Sequence, residues 1–385
     1  MRILTVANHL GARGGLERTQ LTTCRALAER GHRVDLVYVS AGDFEADWRS
    51  FAGSMVQIAG TLPRRAAPIR SATGTARALA AARRLRPEVV YVYRYWDLPM
   101  AALVRGPARR PVVFHCCLPP PVPMPRWLRW SLGRVDTTVA VSSDTAARWQ
   151  GSGLDPSRVE VVLTGIDSDY FRPVDATQRS KLRRALGTSD DAFLVVFTGR
   201  ISREKGVDVL VQACRALADR LPDLQLVVVG GPSLGSDPAD SDRYRAELER
   251  MAGDLRVEWL GARPDVRPVL AAADVAVVPS LWPEPLSRAV MEPLACGIPV
   301  VGSRVGGTPE LLSGWLERFL CAPGDPAALA VTLEGLHDWR AREPDLGRRC
   351  RAAAVEHLSL RRETDAVEAA LRRTTRESVG SSTPA

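Results

Sequence analysis

The sequence contains very little lysine: only Lys181 and Lys205 accompany the arginines among its 52 basic residues. It also lacks any run of about 20 apolar residues, which argues against a membrane-spanning helix. Aromatic residues make up 6% of the chain, and no basic run with interleaved aromatics suggests nucleic-acid binding. In a chain with so few lysines, each one is a candidate for a specific role, and Lys181 lies in a polar, solvated helical segment.

The seven cysteines show neither a metal-binding nor a disulfide pattern. Their number is odd, they are scattered, and Cys116 and Cys117 are adjacent rather than spaced as C-x-x-C. Scattered cysteines of this kind are typical of reduced thiols. The start of the chain lacks the long apolar region and cleavage site of a signal peptide. We therefore predict a cytoplasmic protein without a bound metal.

Length and charge limit the possible architectures. A chain of 385 residues is too long for one ordinary core and suits two domains. Its net charge of +8 favours anionic ligands or surfaces. Apolar strand-like runs alternate with helical segments in both halves, which predicts an α/β fold with parallel sheets.

A glycine-rich loop follows the first predicted strand, residues 2–7. The loop reads G-x-x-G-G, ending at Gly14 and Gly15, and precedes a predicted helix over residues 16–30. It is not the dinucleotide pattern G-x-G-x-x-G, and no acidic residue closes the second strand, so dinucleotide binding is disfavoured. The glycines either let the backbone approach a phosphate or only permit tight packing.

The most informative stretch covers residues 276–312. A strand ending near Pro279 is followed by a Trp/Pro loop and a predicted helix over residues 287–296. Glu284 and Glu292 lie a little over two helical turns apart. The helix N-terminus between them suits a diphosphate, and the deeper carboxylate suits a ribose diol. The alternative is a capped helix with one exposed and one salt-bridged glutamate.

A second cationic motif follows the predicted strand over residues 192–198. It places Arg200 and Lys205 directly before a predicted helix over residues 209–220. Two cations at this position can stabilise a departing diphosphate and replace a metal ion. The alternative is a surface ion pair of Lys205 with Glu204 or Asp208.

Together these motifs resemble the retaining GT-B glycosyltransferases of family four. The resemblance rests on the E-x7-E spacing of Glu284 and Glu292, the flanking M-E-x-L-A-C-G-I-P-V-V-G and V-G-G-x-P-E segments, and the G-R-x4-K-G motif. It implies two Rossmann-like domains facing a central cleft, residues 1–168 for the acceptor and 169–358 for the nucleotide sugar. It also implies that a C-terminal helix, about residues 360–375, crosses back to the first domain.

The resemblance implies a retaining transfer of a hexose-type sugar from a nucleoside diphosphate sugar, UDP or GDP first, to a hydroxyl group. The acceptor would be a small-molecule natural product or a cell-envelope saccharide or glycolipid, and no cofactor or metal is expected. The implied catalytic residues are Glu284, Arg200, Lys205 and His115. The implied donor-binding residues are Gly14, Gly15, Glu292, Leu286, Ser287, Arg288, Ala289, Gly261, Ala262, Gly230 and Gly231.

One departure from the family pattern follows the first glutamate. The family commonly shows E-x-F-G, whereas this chain has Pro285, Leu286 and Ser287 after Glu284, which leaves the sugar's identity open. Two other functions are compatible with the same motifs: a catalytically silent sugar-nucleotide-binding subunit and a GT-B sugar-nucleotide epimerase.

Three segments carry weaker expectations. The basic segment over residues 126–134 is predicted to form a short helix that packs Trp127 and Trp130 inward or contacts an acceptor, in preference to a membrane surface. We expect residues 234–241 to be mobile. We also expect residues 376–385 to be a disordered tail, because they are rich in Ser, Thr and Gly.

Overall fold

The computed structural model describes residues 1–11, 14–60, 68–106, 109–232 and 237–380. The chain divides into two compact units. The first comprises residues up to Gly165 together with the segment that begins at Leu360, and the second runs from Ile166 to Ser359. The division therefore falls slightly before the predicted boundary between residues 168 and 169.

Within the described residues, the first unit is built on a parallel sheet of seven strands in the order β3-β2-β1-β4-β5-β6-β7. These strands are β1 (Arg2–His9), β2 (Arg33–Ser40), β3 (Ser54–Gln57), β4 (Val89–Val92), β5 (Val112–Cys116), β6 (Thr137–Ala140) and β7 (Val159–Val161). Its helices are α1 (Gly15–Glu29), α2 (Glu45–Arg49), α3 (Pro68–Leu85), α4 (Leu98–Arg105), α5 (Arg126–Leu132), α6 (Ser143–Gly151) and, from the end of the chain, α16 (Leu360–Gly380).

Both faces of this sheet are buried, which explains why its central strands are almost wholly apolar. In β5, Val112 and Phe114 contribute to one core cluster and Val113 contributes to the other. Successive side chains of a strand point to opposite faces. Burial on both sides therefore removes the polar alternation that would otherwise show which face a given residue occupies.

The second unit repeats this architecture on a parallel sheet of six strands, counted within the described residues, in the order β10-β9-β8-β11-β12-β13. The strands are β8 (Phe193–Thr198), β9 (Leu224–Val229), β10 (Val257–Gly261), β11 (Val275–Val278), β12 (Val300–Ser303) and β13 (Leu320–Cys321). The helices are α7 (Ala176–Ala185), α8 (Val207–Leu217), α9 (Pro238–Ala252), α10 (Arg267–Ala272), α11 (Arg288–Ala295), α12 (Thr308–Leu311), α13 (Pro326–Gly335), α14 (Trp339–Arg342) and α15 (Leu346–His357). The predicted α/β class with two Rossmann-like domains is confirmed.

The C-terminal helix α16 packs against α1 and β6 of the first unit. Its Glu363 is 1% exposed and accepts hydrogen bonds from Thr23 Oγ1 (2.8 Å) and from Gly165 N (2.7 Å). A buried carboxylate on α16 thus fixes the helix to α1 and to the last residue before the chain enters the second unit.

The expected disorder from residue 376 is wrong for residues 376–380, because α16 continues to Gly380. Hydroxyl groups near this end bond back to the helix: Thr375 Oγ1 donates to Leu371 O (2.7 Å). The buried Thr374 also contacts Thr137 of β6. Polar composition therefore did not prevent helix formation. Residues 381–385 lie outside the described residues.

Two further expectations change in the structure. Helix α9 already begins at Pro238, because Asp237 accepts from Ala239 N (3.0 Å) as an N-cap and proline suits the first helical turn. Residues 238–241 are therefore helical rather than a mobile loop, while residues 234–236 lie outside the described residues.

In α5, the inward face carries Leu128 and Leu132, whereas Trp127 and Trp130 are 39% and 43% exposed. Inward packing of the two tryptophans is therefore wrong. The guanidinium of Arg134 lies 4.0 Å from the centroid of the Trp130 ring. None of the helices in the described part of the chain has both the length and the hydropathy of a membrane-spanning segment.

Candidate active site

Each sheet has one point at which the strand order reverses, between β1 and β4 in the first unit and between β8 and β11 in the second. Connections on the two sides of such a point leave along opposite faces of the sheet, which opens a crevice at the carboxyl ends of the strands. The predicted diphosphate-binding cations follow β8, and the predicted glutamates follow β11. The fold therefore brings these two sequence motifs to the same edge.

Lys205 and Glu284 form an ion pair at this reversal point. Lys205 Nζ donates to Glu284 Oε1, and Ser280 Oγ donates to the same oxygen at 2.6 Å. The two charged side chains are 16% and 9% exposed. Two donors thus fix the carboxylate in a largely dry environment, where a charge-assisted hydrogen bond is stronger than at the surface.

Backbone hydrogen bonds hold the two loops together. Leu281 N and Trp282 N both donate to Glu204 O, at 2.9 and 3.2 Å, and Gly307 N donates to Glu284 O at 2.7 Å. The position of the Glu284 side chain is therefore set by three chain segments, not by its own loop alone.

Gly206 is required by the close approach of the same loops. Its φ is +65°, and a Cβ atom here would lie 2.0 Å from Pro279 O. Gly306 packs equally closely against Glu284, since a Cβ atom at position 306 would lie 2.3 Å from Glu284 O. Only glycine fits such contacts, so these residues position Lys205 and Glu284. Sequence reasoning missed Ser280 and the close approach at Gly206.

The alternative predicted for Lys205, a surface ion pair with Glu204 or Asp208, is wrong, because Lys205 pairs with Glu284. Glu204 pairs with Arg200 (2.8 Å) at the surface, and Asp208 accepts from Tyr244 Oη (3.0 Å). Arg200 is exposed in the loop that follows β8. It is thus accessible to an anion, while Lys205 lies deeper.

The helix α11 begins at Arg288 with Ser287 as its N-cap. The first backbone N–H groups, those of Ser287, Arg288 and Ala289, have no acceptor within the helix, because no helical carbonyl precedes them by four residues. The Ser287 side chain makes no capping hydrogen bond either. About one turn after Arg288, Glu292 is buried and accepts from Arg288 Nε at 3.0 Å. The alternative of one exposed and one salt-bridged glutamate is therefore wrong: both carboxylates are buried and paired with cations.

The predicted glycines at the carboxyl ends of β9 and β10 are joined by backbone hydrogen bonds to each other and to the loop after β8. Gly230 N donates to Gly261 O (2.9 Å), and Ile201 N donates to Gly231 O (2.8 Å). A Cβ on Gly230 would lie 1.7 Å from Gly199 O, so this glycine has a packing requirement of its own. Ala262, which follows Gly261, is exposed, and Leu286 is half-buried between Glu284 and α11.

In the first unit, Gly14 and Gly15 are exposed at the start of α1. The first turn of α1 carries Glu17, which accepts from Arg94 Nη2 at 2.9 Å. Arg94 follows β4 and is 2% exposed. This unit therefore also has an ion pair across its reversal point, which sequence reasoning missed because the two residues are 77 positions apart.

His115 lies inside β5 and has no exposed surface. Its Nδ1 is 2.6 Å from Tyr91 Oη, and its ring stacks on Tyr93 with centroids 4.8 Å apart. Burial lowers the pKa of His115 to about 3. This is the environment of a neutral, buried histidine, and among the described residues its Nε2 has no hydrogen-bond partner. Its contact with a donor remains a prediction.

Two family models match the chain. Residues 13–170 match Glycosyltransferase Family 4, and residues 178–353 match Glycosyl transferases group 1. The curated relatives include the D-inositol 3-phosphate glycosyltransferase of Mycobacterium avium (strain 104), which is 36% identical over 227 residues, 58% of this chain and 51% of that protein. D-inositol 3-phosphate glycosyltransferase 2 of Catenulispora acidiphila is 38% identical over 54% of this chain and 48% of its own length. The chain thus spans about half the length of the curated relatives it matches.

Solved structures share the fold over nearly the whole chain. Anabaena HepE, solved in complex with UDP, superposes with a TM-score of 0.83 and 22% identity, covering 97% of this chain and 100% of that one. Sucrose-phosphate synthase from Thermosynechococcus elongatus superposes with a TM-score of 0.78 and 19% identity, covering 97% and 98%. These matches identify the fold as GT-B.

Proposed function

Because the chain belongs to the GT-B glycosyltransferases of family four, we propose that it is an active, retaining hexosyltransferase. It would move a hexose-type sugar from a nucleoside diphosphate sugar to a hydroxyl group of an acceptor. The observation that carries this proposal is the Lys205–Glu284 pair at the reversal point of the second sheet. A cation and a carboxylate are held there beside the N-terminus of α11, as diphosphate and sugar recognition together require.

In the proposed reaction, the bond between the anomeric carbon and the diphosphate oxygen breaks, and its electron pair leaves with the diphosphate. The acceptor oxygen bonds to the anomeric carbon on the same face, and its proton passes to the leaving diphosphate. Arg200, Lys205 and the first N–H groups of α11 would stabilise the charge that develops on the diphosphate. Because that charge grows in the transition state, these contacts would accelerate the reaction as well as bind the donor.

The two glutamates have separate roles in this proposal. Glu284 would accept hydrogen bonds from the sugar hydroxyls and face the positive charge that develops at the anomeric carbon. Glu292, farther along α11, would hold the ribose hydroxyls. Leu286 would contact the sugar, and Gly230, Gly231, Gly261 and Ala262 would line the nucleotide. From the first unit, Gly14, Gly15 and His115 remain predicted contacts, of which His115 is the least accessible.

We propose UDP as the first donor nucleotide to test and GDP as the second. HepE, which shares this fold, has been solved with UDP and with UDP-glucose. The acceptor is proposed to be a small-molecule natural product or a cell-envelope saccharide. The names of the curated relatives, which specify D-inositol 3-phosphate, favour a polyol hydroxyl as the first acceptor class to assay.

The proposed compartment is the cytoplasm. All seven cysteines are free, and all except Cys117 are buried, as is usual for proteins kept in a reducing compartment. Metal-independent transfer also remains a prediction. Among the described residues, no group of three or more His, Cys, Asp or Glu side chains is arranged to hold a metal ion.

The proposal is tested by calorimetric titration with UDP, GDP and dTDP, with and without a chelator, followed by transfer assays with the matching sugar nucleotides. We expect one nucleotide to bind without metal, Lys205→Ala to lose that binding, and Lys181→Ala to retain it. We expect Glu284→Gln to bind nucleotide but to lose transfer. Nucleotide binding without any transfer in the wild type would favour the silent binding subunit, and no binding at all would contradict the donor site.

A further inference from the structure

A cavity of about 390 Å³ lies in the second unit, at the edge of the sheet opposite to the edge that carries the predicted donor site. Its lining includes Ala271, which precedes β11, and Gly297 with Ile298, which precede β12. All strands of this sheet are parallel. Residues that precede the strands therefore lie at the amino edge, whereas Lys205 and Glu284 lie at the carboxyl edge. The proposed transfer reaction requires nothing from this cavity.

Among the described residues, the lining of the cavity contains no aspartate or glutamate, but it contains four arginines: Arg179, Arg340, Arg348 and Arg351. We call it the arginine cavity. Asp274 pairs with two of these arginines, Arg179 and Arg340, and is shared. It accepts from Arg179, from Arg183 (3.0 Å) and from Arg340 (3.2 Å). One carboxylate charge thus faces three guanidinium charges, which leaves an excess of positive charge beside the cavity.

The other two arginines add to this excess. Arg351 donates to three backbone carbonyl oxygens, those of Ala295 (2.7 Å), Phe171 (3.1 Å) and Ser168 (3.1 Å). Carbonyl dipoles orient its guanidinium without neutralising it. Arg348 pairs with Asp345 at 2.9 Å, but both side chains are more than 70% exposed, so solvent screens this pair strongly.

The charges of the arginine cavity are poorly compensated. Burial lowers the pKa of Arg179 to about 10, and it also lowers the pKa of Arg340 despite the nearby Asp274. Among the described residues, the buried Arg179 Nε has no hydrogen-bond partner. An anion in the cavity would supply both the missing acceptor and the missing negative charge.

The remaining walls are rigid and largely apolar. Gly347 and Gly297 pack backbone to backbone, since a Cβ on Gly347 would lie 2.8 Å from Gly297 O and 3.1 Å from the Trp339 ring. Trp339 is itself fixed, because its Nε1 donates to Asp274 O at 2.9 Å. Fixed walls beside a cluster of guanidinium groups suit a small molecule with one anionic end.

We propose that the arginine cavity binds a phosphate dianion, either free or as the phosphomonoester of a small molecule. Guanidinium groups match the geometry of phosphate oxygens through paired N–H donors, and a dianion matches the local excess of charge. Binding would connect the segment that follows the first crossing between the units, at Pro173, to helix α15, which precedes the second.

The test is calorimetric titration of the full chain in a phosphate-free buffer of low ionic strength, with inorganic phosphate, glycerol 3-phosphate and neutral glycerol as probes. We expect saturable binding of the two anions and none of glycerol. Stronger binding of glycerol 3-phosphate than of phosphate would identify a phosphomonoester as the ligand, and the reverse order would identify free phosphate.

Variants then locate the binding. Arg348→Gln, an exposed residue whose loss should not disturb folding, is expected to weaken binding by about tenfold, the usual effect of removing one charge-assisted hydrogen bond. Arg340→Gln combined with Arg348→Gln is expected to abolish it, with folding checked by circular dichroism. Arg243→Gln makes the same charge change at an exposed position of α9 and should bind like the wild type.

The titration is repeated on Lys205→Ala, which removes the predicted donor-site cation. Binding that persists in Lys205→Ala and is lost with the cavity variants supports the arginine cavity. Binding lost in Lys205→Ala but retained in Arg348→Gln would assign the anion to the donor site and overturn the proposal. Absence of saturable binding at millimolar concentration would overturn it as well.

Discussion

Replacement of Lys205 by methionine tests whether the Lys205–Glu284 pair stabilises the second unit. The substitution keeps the length and the apolar stem of the side chain but leaves the Glu284 carboxylate, 9% exposed, with Ser280 as its remaining donor among the contacts described above. Removal of one partner from a buried pair costs about 3–5 kcal/mol. Lys205 is 16% exposed, and Ser280 still donates to Glu284 in the variant. We therefore expect the free energy of unfolding to fall by about 2–3 kcal/mol, at or below the lower end of that range.

The assay is urea unfolding at pH 7, with the free energies compared at equal slope. Lys181→Met is the matched control, since it makes the same change at an exposed position of α7 and should alter stability by less than about 0.5 kcal/mol. The double variant Lys205→Met with Glu284→Gln removes both charges. The free energy of unfolding lost in the double variant should be about 1–2 kcal/mol smaller than the sum of the losses in the two single variants. This difference is the coupling energy of the pair.

Two results would refute this reasoning. One is a Lys205→Met protein as stable as Lys181→Met. The other is full additivity in the double variant, which would mean that the two charges do not interact. A loss that disappears at high salt would instead mark the pair as solvent-screened, contrary to its burial.

Three other predictions follow from the geometry. In chemical denaturation, Gly206→Ala should lower the free energy of unfolding by more than about 2 kcal/mol. The control Gly187→Ala is also at positive φ but has open space around its Cβ, and it should cost about 1 kcal/mol. Equal costs would contradict the crowding at Pro279. Glu363→Ala should cost about 1–3 kcal/mol and speed amide exchange in α16, because it leaves Gly165 N without its acceptor. Thr23 Oγ1 also loses its bond to Glu363 but can still donate to Thr19 O. The exposed Glu356→Ala should change neither. Burial lowers the pKa of His115 from 6.5 to about 3 in the folded protein. Between these two pH values the unfolded state therefore binds more protons than the folded state. The free energy of unfolding should then fall by about 1.4 kcal/mol for each pH unit below 6.5. His115→Gln should reduce that slope in unfolding experiments between pH 6.5 and 4.5 and His357→Gln should not; an unchanged slope in His115→Gln would show that the ring is not buried.

Local features of the sequence were sufficient for the architecture and for the motifs. Apolar runs of strand length alternate with helical segments, so the parallel α/β class follows from neighbouring residues alone. The spacing of Glu284 and Glu292 likewise follows from one loop and one helix. The extent of α9 was underestimated although its signal was present, since the N-cap Asp237 and Pro238 stand next to each other.

Partners that are distant in the chain could not be assigned in this way. Lys205 has acidic neighbours in sequence, yet it pairs with Glu284, 79 positions away, because the strand order places β8 beside β11. The Glu17–Arg94 pair arises in the same way from the adjacency of β1 and β4. Strand order results from the packing of whole helices on a sheet, and no local pattern records it.

The direction of His115 was also decided only by the tertiary structure. Its strand is apolar on both faces, so alternation does not show whether the ring points into the core or towards the loops at the strand's end. The hydroxyl of Tyr91 on the neighbouring strand and the ring of Tyr93 hold it inside. The sequence by itself thus determined which elements form and which residues could carry the chemistry. The order of the strands decided which of those residues meet, because side chains from distant segments interact only where the sheet places their strands side by side.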